Sequence, residues 1–258
     1  GKLGGKELGY ASDLDIVFLY DAPESDQGAS ERYAMFARRL IAWLTASTSA
    51  GVLFEIDTRL RPNGAAGLLV TSIDAFRRYQ LREGDNSAWL WEHQALTRAR
   101  FCAGDIMIGQ KFEEIRSEVL AQPRDEQLLK QEILSMRKKV SDGHPNDSGM
   151  FDIKHDSGGM VDIEFIVQYL VLRFSAKHRK LLGNWGNIAL LGFAAEDQLI
   201  PDDLAKSVAN AYRLYREYQH RIRLDGADKT RIHHDAMDQS LVAARVAVTT
   251  LWQKVLLA

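Results

Sequence analysis

Ser12-Asp13-Leu14-Asp15-Ile16-Val17-Phe18-Leu19-Tyr20 is the stretch on which the fold turns. Its apolar and β-branched residues predict a strand over 14–20. Side chains alternate along a strand, so Asp13 and Asp15 share one face with Val17 and Leu19, while Leu14, Ile16 and Phe18 take the other. Apolar residues on both faces predict a strand covered on both sides. Two carboxylates at the end of such a strand repel each other and lose solvation. A hard dication removes both penalties, and Mg²⁺ favours carboxylate oxygens together with substrate phosphates. An isolated Asp-x-Asp is more simply a turn cap beside an exposed acid; the residues around this one favour the metal.

Upstream, Gly4-Gly5 can bring backbone N–H groups close to an anion, and Ser12 adds a hydroxyl donor next to the acids. Downstream, 52–58 reads as a second strand, and Phe54-Glu55-Ile56-Asp57-Thr58-Arg59 carries Glu55, Asp57 and Arg59 on its polar face. Asp13, Asp15 and Asp57 are therefore the catalytic and metal-ligating candidates. In a two-metal phosphoryl- or nucleotidyl-transfer site, two acids bridge the metals, and a third completes one shell and takes the nucleophile's proton. Arg59 and Arg61 follow at once, and a guanidinium suits bidentate contact with phosphate oxygens. One of the two is expected to touch phosphate or substrate; the other reading pairs an arginine with a carboxylate such as Glu55. Arg61-Pro62-Asn63-Gly64 is a turn, and 68–70 a short third strand.

Further out, 30–48 predicts a helix with Ser30 as N-cap and an apolar stripe of Tyr33, Phe36, Leu40, Trp43 and Leu44. Helices are expected over 88–100 and much of 105–140, broken near Pro123, then a loop over 141–149 and a strand over 151–154. Beyond Gly158-Gly159 the texture is helical: 161–174, 187–195, a long helix after Pro201 with Leu204, Val208, Tyr212, Tyr215 and Ile222 inward, and a last helix from Asp238. This is an α+β domain followed by a helical bundle, joined near residue 155.

With 33 Lys+Arg against 35 Asp+Glu, the formal charge of −2 excludes a polycation that holds nucleic acid by bulk charge. One cysteine, Cys102, excludes an intrachain disulfide framework and a Cys-based zinc site. No apolar run is expected to reach the roughly 18 residues of a membrane span. Together with a start at Gly1, this predicts a soluble, cytoplasmic piece of a longer chain.

Gly1-Lys2-Leu3-Gly4-Gly5-Lys6-Glu7-Leu8 followed by Ser12-Asp13-Leu14-Asp15 resembles the opening motif of the glutamine synthetase adenylyltransferases, in the polymerase-β-like nucleotidyltransferase superfamily. The resemblance extends through Asp57-Thr58-Arg59-Leu60-Arg61-Pro62-Asn63-Gly64, Trp91-Glu92-His93-Gln94-Ala95-Leu96, and Phe151-Asp152-Ile153-Lys154 to Gly158-Gly159-Met160-Val161-Asp162-Ile163-Glu164-Phe165. It implies a polymerase-β-like domain, a small mixed sheet with helices, over 1–155, and a helical bundle over 156–258. It also implies transfer of AMP from ATP with Mg²⁺ to a tyrosine of glutamine synthetase, with the regulatory PII protein and glutamine as partner and effector, and no nucleic acid or membrane. Family members carry two similar halves, one removing AMP by phosphorolysis and one adding it. The Trp-Glu-His-Gln-Ala-Leu run, Val161-Asp162-Ile163-Glu164 and the ending near Trp252-Gln253-Lys254 resemble the carboxy-terminal, adding half.

On that resemblance Asp13 and Asp15 hold the metal pair and Asp57 the metal nearest the nucleophile, where it could act as base. Gly4, Gly5 and Ser12 hold the β- and γ-phosphates, and Lys154 is either a nucleotide contact or a surface lysine. Two departures stand out: Lys6 follows Gly5 where the superfamily places Ser, and the strand that enters the Gly-Gly loop would precede Gly1, leaving a sheet edge unpaired. Asp162 and Glu164 suit the first turn of a helix without any chemistry, Glu164 more clearly. Trp89 and Trp91 are expected in the core rather than stacked on adenine, and His233-His234 in solvent. Arg213, Arg216, Arg221 and Arg223 read as an ordinary charged helix face, or else as a docking face. Three rivals remain: the phosphorolytic half, a nucleotidyltransferase for a small substrate, and a non-catalytic module that docks PII or glutamine synthetase.

Overall fold

The extended run at 14–20 breaks into two pieces, β1 (Leu14–Asp15) and β2 (Phe18–Tyr20). The computed structural model describes every residue except 11, 50, 53 and 228. β1 pairs in parallel with β3 (Ile56–Asp57), Leu14 opposite Ile56 and Asp15 opposite Asp57. β2 pairs in parallel with β4 (Val70–Ser72), Phe18 opposite Val70. The strand expected over 52–58 is thus only two residues long, with residue 53 outside the described residues, and the one expected at 68–70 lies two residues later. Leu14 is buried and 16–20 are half-buried, so cover is thinner than two apolar faces suggested.

Parallel neighbours require a crossover, and α1 (Ala29–Leu44) supplies it between β2 and β3. Its N-cap is Gly28, without a side-chain bond, and Ser30 lies inside the helix. The stripe expected in the core is turned outward: Phe36 is 63% and Trp43 80% exposed, with Tyr33 and Leu44 also exposed. The buried positions are Ala29 and Ala37, and the helix packs against β4. A helix not anticipated from sequence, α2 (Ile73–Gln80), starts directly after β4, where the Ser72 hydroxyl accepts the N–H of Ala75 at 3.2 Å. It buries Ile73, Phe76, Tyr79 and Gln80. α3 (Leu90–Leu96) and α4 (Ile106–Leu120) complete this part.

The chain divides into two compact units, Gly1–Leu120 and Ala121–Ala258, well before the division expected near residue 155. The reason is pairing that sequence texture does not reveal. α5 (Glu126–Asp142) packs on α6 (Met160–Phe174), and β5 (Phe151–Asp152) pairs antiparallel with β6 (Arg231–Ile232). The stretch before residue 155 therefore belongs to the helical unit.

In that second unit α6 buries 11 of its 15 residues and forms the centre of the core. α7 (Asn187–Glu196), α8 (Asp202–Leu224) and α9 (Gln239–Trp252) pack in sequence, α7 on α8 and α8 on α9. Val208, Tyr212 and Tyr215 are buried as expected, while Leu204 and Ile222 are half-buried. Asp238 caps α9 by accepting the N–H of Leu241 at 2.8 Å. The helical stretch Gln239–Leu257, 19 residues, is long and apolar enough to cross a membrane by length and composition alone. That corrects the expectation that no such run exists; its buried Leu241, Val248 and Leu251 lie in a helix packed on α8. Taken together, short sheets and many helices make an α+β protein.

Candidate active site

Residues directly opposite in a sheet project to the same face, so the Asp15–Asp57 register puts both carboxylates on one side of the β1–β3 pair. Asp13 lies just before β1, outside the strand, and its carboxylate also comes close to the other two. One oxygen from each of Asp13, Asp15 and Asp57 lies within 4.8 Å of the others. Among the described residues this is the one group of three or more acidic, His or Cys side chains so placed. Asp13 is exposed, and Asp15 and Asp57 are half-buried.

The electrostatics of the three are unequal. Burial pushes the Asp15 carboxyl above its usual range and repulsion from Asp13 and Asp57 adds to the rise, against the Gly1 ammonium 3.9 Å away and Arg98, which pull it down. The Asp57 carboxyl is held below its usual range, chiefly by a hydrogen bond from Arg59. Arg59 Nε lies 3.0 and 2.9 Å from the two Asp57 oxygens, and the Arg59 backbone N–H donates to Oδ1 at 2.8 Å. The paired acid is thus Asp57 rather than Glu55. The Arg59 side chain remains 76% exposed.

Arg61 has a different task. Its guanidinium donates to the carbonyls of Thr58 (2.8 Å), Ala65 (3.0 Å) and Gly67 (3.1 Å) and to Thr58 Oγ1 (3.0 Å). Four bonds close the loop over 58–67, so Arg61 is a loop clamp in this structure. Inside the loop the Gly64 N–H donates to the Arg61 carbonyl at 2.8 Å, and Asn63 takes a left-handed φ of 61°, which Asn tolerates better than most residues. Gly67 is required by contact: a Cβ there would lie 1.9 Å from the Pro62 carbonyl oxygen.

Gly4 and Gly5 also owe their small size to contact. A Cβ on Gly4 would fall 2.1 Å from the Arg98 carbonyl oxygen, and one on Gly5 2.8 Å from Arg98 Nε. The Gly5 N–H donates to the Gly1 carbonyl at 3.0 Å, so it serves the turn itself. Arg98, which the sequence did not single out, lies under this loop and donates from Nη2 to Glu7 Oε2 at 2.7 Å. Ser12 Oγ accepts the Gly9 N–H at 3.2 Å. A cavity of about 190 Å³ opens beside Asp15, with Gly4 and Arg98 on its polar side and Ile16, Phe76 and Phe112 among its apolar walls.

Other candidates fall elsewhere. Lys154 is in the second unit, just after β5, where its backbone N–H donates to Asp152 Oδ1 at 2.9 Å. Asp162 is buried and fully engaged, by Arg137 Nε at 2.5 Å and the Gly158 N–H at 2.7 Å. Trp89 is 68% exposed, against the expected core position, and Trp91 is half-buried. His233 and His234 are exposed, as expected.

Residues 1–115 match the family model of glutamate-ammonia ligase adenylyltransferase, and 127–255 that of GlnD PII-uridylyltransferase. The gap between the matches brackets the boundary between the two compact units. Over 257 residues the chain is 59% identical to the bifunctional glutamine synthetase adenylyltransferase/adenylyl-removing enzyme of Burkholderia mallei, covering 99% of this chain and 27% of that protein. The similarly named proteins of Bordetella bronchiseptica and Nitrosomonas europaea are 55% and 51% identical, over 99% of this chain and 26% and 28% of theirs. The chain spans about a quarter of the length of these curated relatives.

Proposed function

Because the chain belongs to the glutamate-ammonia ligase adenylyltransferase family, we propose that its first unit moves AMP from MgATP to a tyrosine hydroxyl of glutamine synthetase. The convergence of Asp13, Asp15 and Asp57 at the β1–β3 pair carries this reading. The parallel strands that bear an Asp-x-Asp and a third acid support a polymerase-β-like nucleotidyltransferase fold. The donor set is three hard carboxylates, two of them half-buried and one of these, Asp15, crowded by the other two, which fits Mg²⁺ rather than a softer metal. Asp13 and Asp15 would hold a metal pair, and Asp57 the metal nearer the nucleophile. Bound Mg²⁺ would neutralise charge on the transferring phosphate and the departing pyrophosphate.

The remaining tasks fall to the chain itself. A phenol with a pKa near ~10 keeps its proton at neutral pH and must lose it as it attacks the α-phosphorus. Asp57, facing the nucleophile, would receive that proton, and it becomes the stronger base once Arg59 turns away from it. The exposed Arg59 guanidinium is then placed to contact phosphate, while Arg61 holds the loop. Ser12 accepts the Gly9 N–H, which leaves its own O–H to donate to the β- or γ-phosphate beside Gly4 and Gly5. Lys154 belongs to the second unit and carries no part of this reading. The second unit, with its match to a PII-uridylyltransferase model, is the candidate for contact with PII and for a glutamine effect. We assign the chain to the carboxy-terminal, adenylylating half of a cytoplasmic enzyme of nitrogen metabolism that needs neither nucleic acid nor membrane.

The test is AMP incorporation into glutamine synthetase by the intact enzyme carrying Asp15→Asn or Asp57→Asn. Near-normal rates in either variant would sink the assignment. Phosphate with adenylylated glutamine synthetase, offered in parallel, tests the reverse reaction that the relatives' name also carries. Faster AMP release than AMP addition would assign the chain to the phosphorolytic half.

A further inference from the structure

Glu92 lies outside the carboxylate triad, yet only 3% of it is exposed. A carboxylate so buried needs donors around it. The Tyr79 hydroxyl donates to it, 2.8 Å from Oε2 and 3.0 Å from Oε1, and the Trp89 backbone N–H donates to Oε2 at 2.8 Å. The same Tyr79 oxygen accepts the backbone N–H of Asn63 at 3.2 Å. A chain of hydrogen bonds, buried at its Tyr79–Glu92 link, thus runs from α3 through α2 to the loop that follows Asp57 and Arg59.

The position of that loop is the point at issue. The four Arg61 bonds and the Gly64–Arg61 bond are internal to 58–67, so they fix its shape and not its place. Asp57 itself is held on one side by a strand of two residues. On its other side, Tyr79 ties the preformed loop to the core through Asn63. We propose that Glu92, acting through Tyr79, is a positioning residue for the third carboxylate, fixing the loop that holds Asp57 in register with Asp15. The inference rests on the proposed role of the triad as a dication site.

The experiment compares Tyr79→Phe, Glu92→Gln and Asp57→Asn in the 258-residue chain. Hydrogen exchange is followed in metal-free protein, and Mn²⁺ binding by calorimetry. Tyr79→Phe should speed exchange over 58–67 while β2 and β4 keep their protection. It should weaken Mn²⁺ binding about fivefold, the equivalent of one hydrogen bond. Glu92→Gln loses the charge and one of the two acceptor oxygens, so it should move both measures in the same direction as Tyr79→Phe and by less. Wild-type values on both would take Glu92 out of the chain of bonds and overturn the proposal. Unchanged exchange over 58–67 in Tyr79→Phe, or exchange raised equally across Gly1–Leu120, overturns the proposal. So does unchanged Mn²⁺ affinity in Tyr79→Phe when Asp57→Asn loses it, an outcome that leaves the triad standing. If Asp57→Asn also binds Mn²⁺ normally, the triad itself fails and this inference falls with it. Should Tyr79→Phe not fold, Glu92→Asp, which keeps the charge but shortens the reach, takes its place with the same outcomes.

Discussion

Asp15 in the first unit, half-buried, and Asp152 in the second, buried, both sit at the end of a two-residue strand, yet their carboxyls move in opposite directions. Burial pushes Asp15 up, and Asp13 and Asp57 push it further. Burial acts on Asp152 as well, but the His155 side chain and the backbone N–H groups of His155 and Lys154 outweigh it and hold the acid at about 2. Those N–H groups donate to Asp152 Oδ1 at 3.0 and 2.9 Å. Donors complete Asp152 as structure, whereas Asp15 faces two further acids, offset only in part by the Gly1 ammonium 3.9 Å away and by Arg98. Such crowding carries an unfavourable energy that a cation or a proton relieves. Helices α1 and α6 repeat the contrast: two buried residues in α1, eleven in α6.

The largest expected effect separates the two acids by chemistry. Asp15→Asn should lower AMP transfer about a thousandfold, a loss of several kcal/mol of transition-state stabilisation. Its thermal midpoint should hold or rise, because like-charge repulsion is relieved. Asp152→Asn should do the reverse, leaving Mn²⁺ affinity at the triad unchanged while costing about 2 kcal/mol in urea unfolding, as lost charged hydrogen bonds do. An Asp152→Asn protein as stable as wild type would break the comparison.

Acid titration should sharpen it with opposite signs. The Asp152 carboxyl lies at about 2 when folded and 3.8 unfolded, so its stabilisation is full above the unfolded value and lost as pH falls toward 2. Linkage puts that loss at about 2 kcal/mol. Asp15 is raised, so it destabilises the folded state at neutral pH, and the penalty disappears as pH falls through its folded value toward 3.8. Urea midpoints between pH 2 and 6 should therefore show a shallower acid loss for Asp152→Asn than for wild type, and a steeper one for Asp15→Asn. Parallel curves for the two variants would remove the physical distinction between them.

The acids of the triad were legible in the sequence because strand alternation is local: Asp13, Asp15 and Asp57 needed only a period of two and a neighbouring strand. The fate of the α1 stripe was not. Periodicity shows which face is apolar, but what covers that face depends on distant elements, and here the residues that end up buried are Ala29 and Ala37. The boundary near residue 155 was misplaced for the same reason, since Phe151 finds its partner at Ile232. Arg61 was legible as a cation and Pro62-Asn63-Gly64 as a turn, but which carbonyls the guanidinium meets depends on how the loop over 58–67 closes, which residue types do not specify. Arg98 and Glu92 escaped because burial, not composition, gives them their roles.

The smallest expected effect concerns Asp57, whose lowered carboxyl resembles that of Asp152 although its charge partner is at the surface. In the second unit the Arg137–Asp162 pair is buried on both sides, so neither partner can leave without exposing a charge to the core. Arg59 can leave Asp57 easily, and a dication that binds the triad would have to displace it. Arg59→Ala should therefore raise the Asp57 carboxyl toward its ordinary range, visible by carboxylate NMR titration as protonation beginning at higher pH. It should leave the thermal midpoint where it was. Mn²⁺ alone should bind a few-fold more tightly at low salt, with the gain fading as salt screens the exposed pair. MgATP, which would lose a phosphate contact, should bind more weakly. Weaker binding of Mn²⁺ alone would mean that Arg59 supports the carboxylate geometry instead of competing for it. Asp57 would then belong with Asp152, as an acid completed by its own chain.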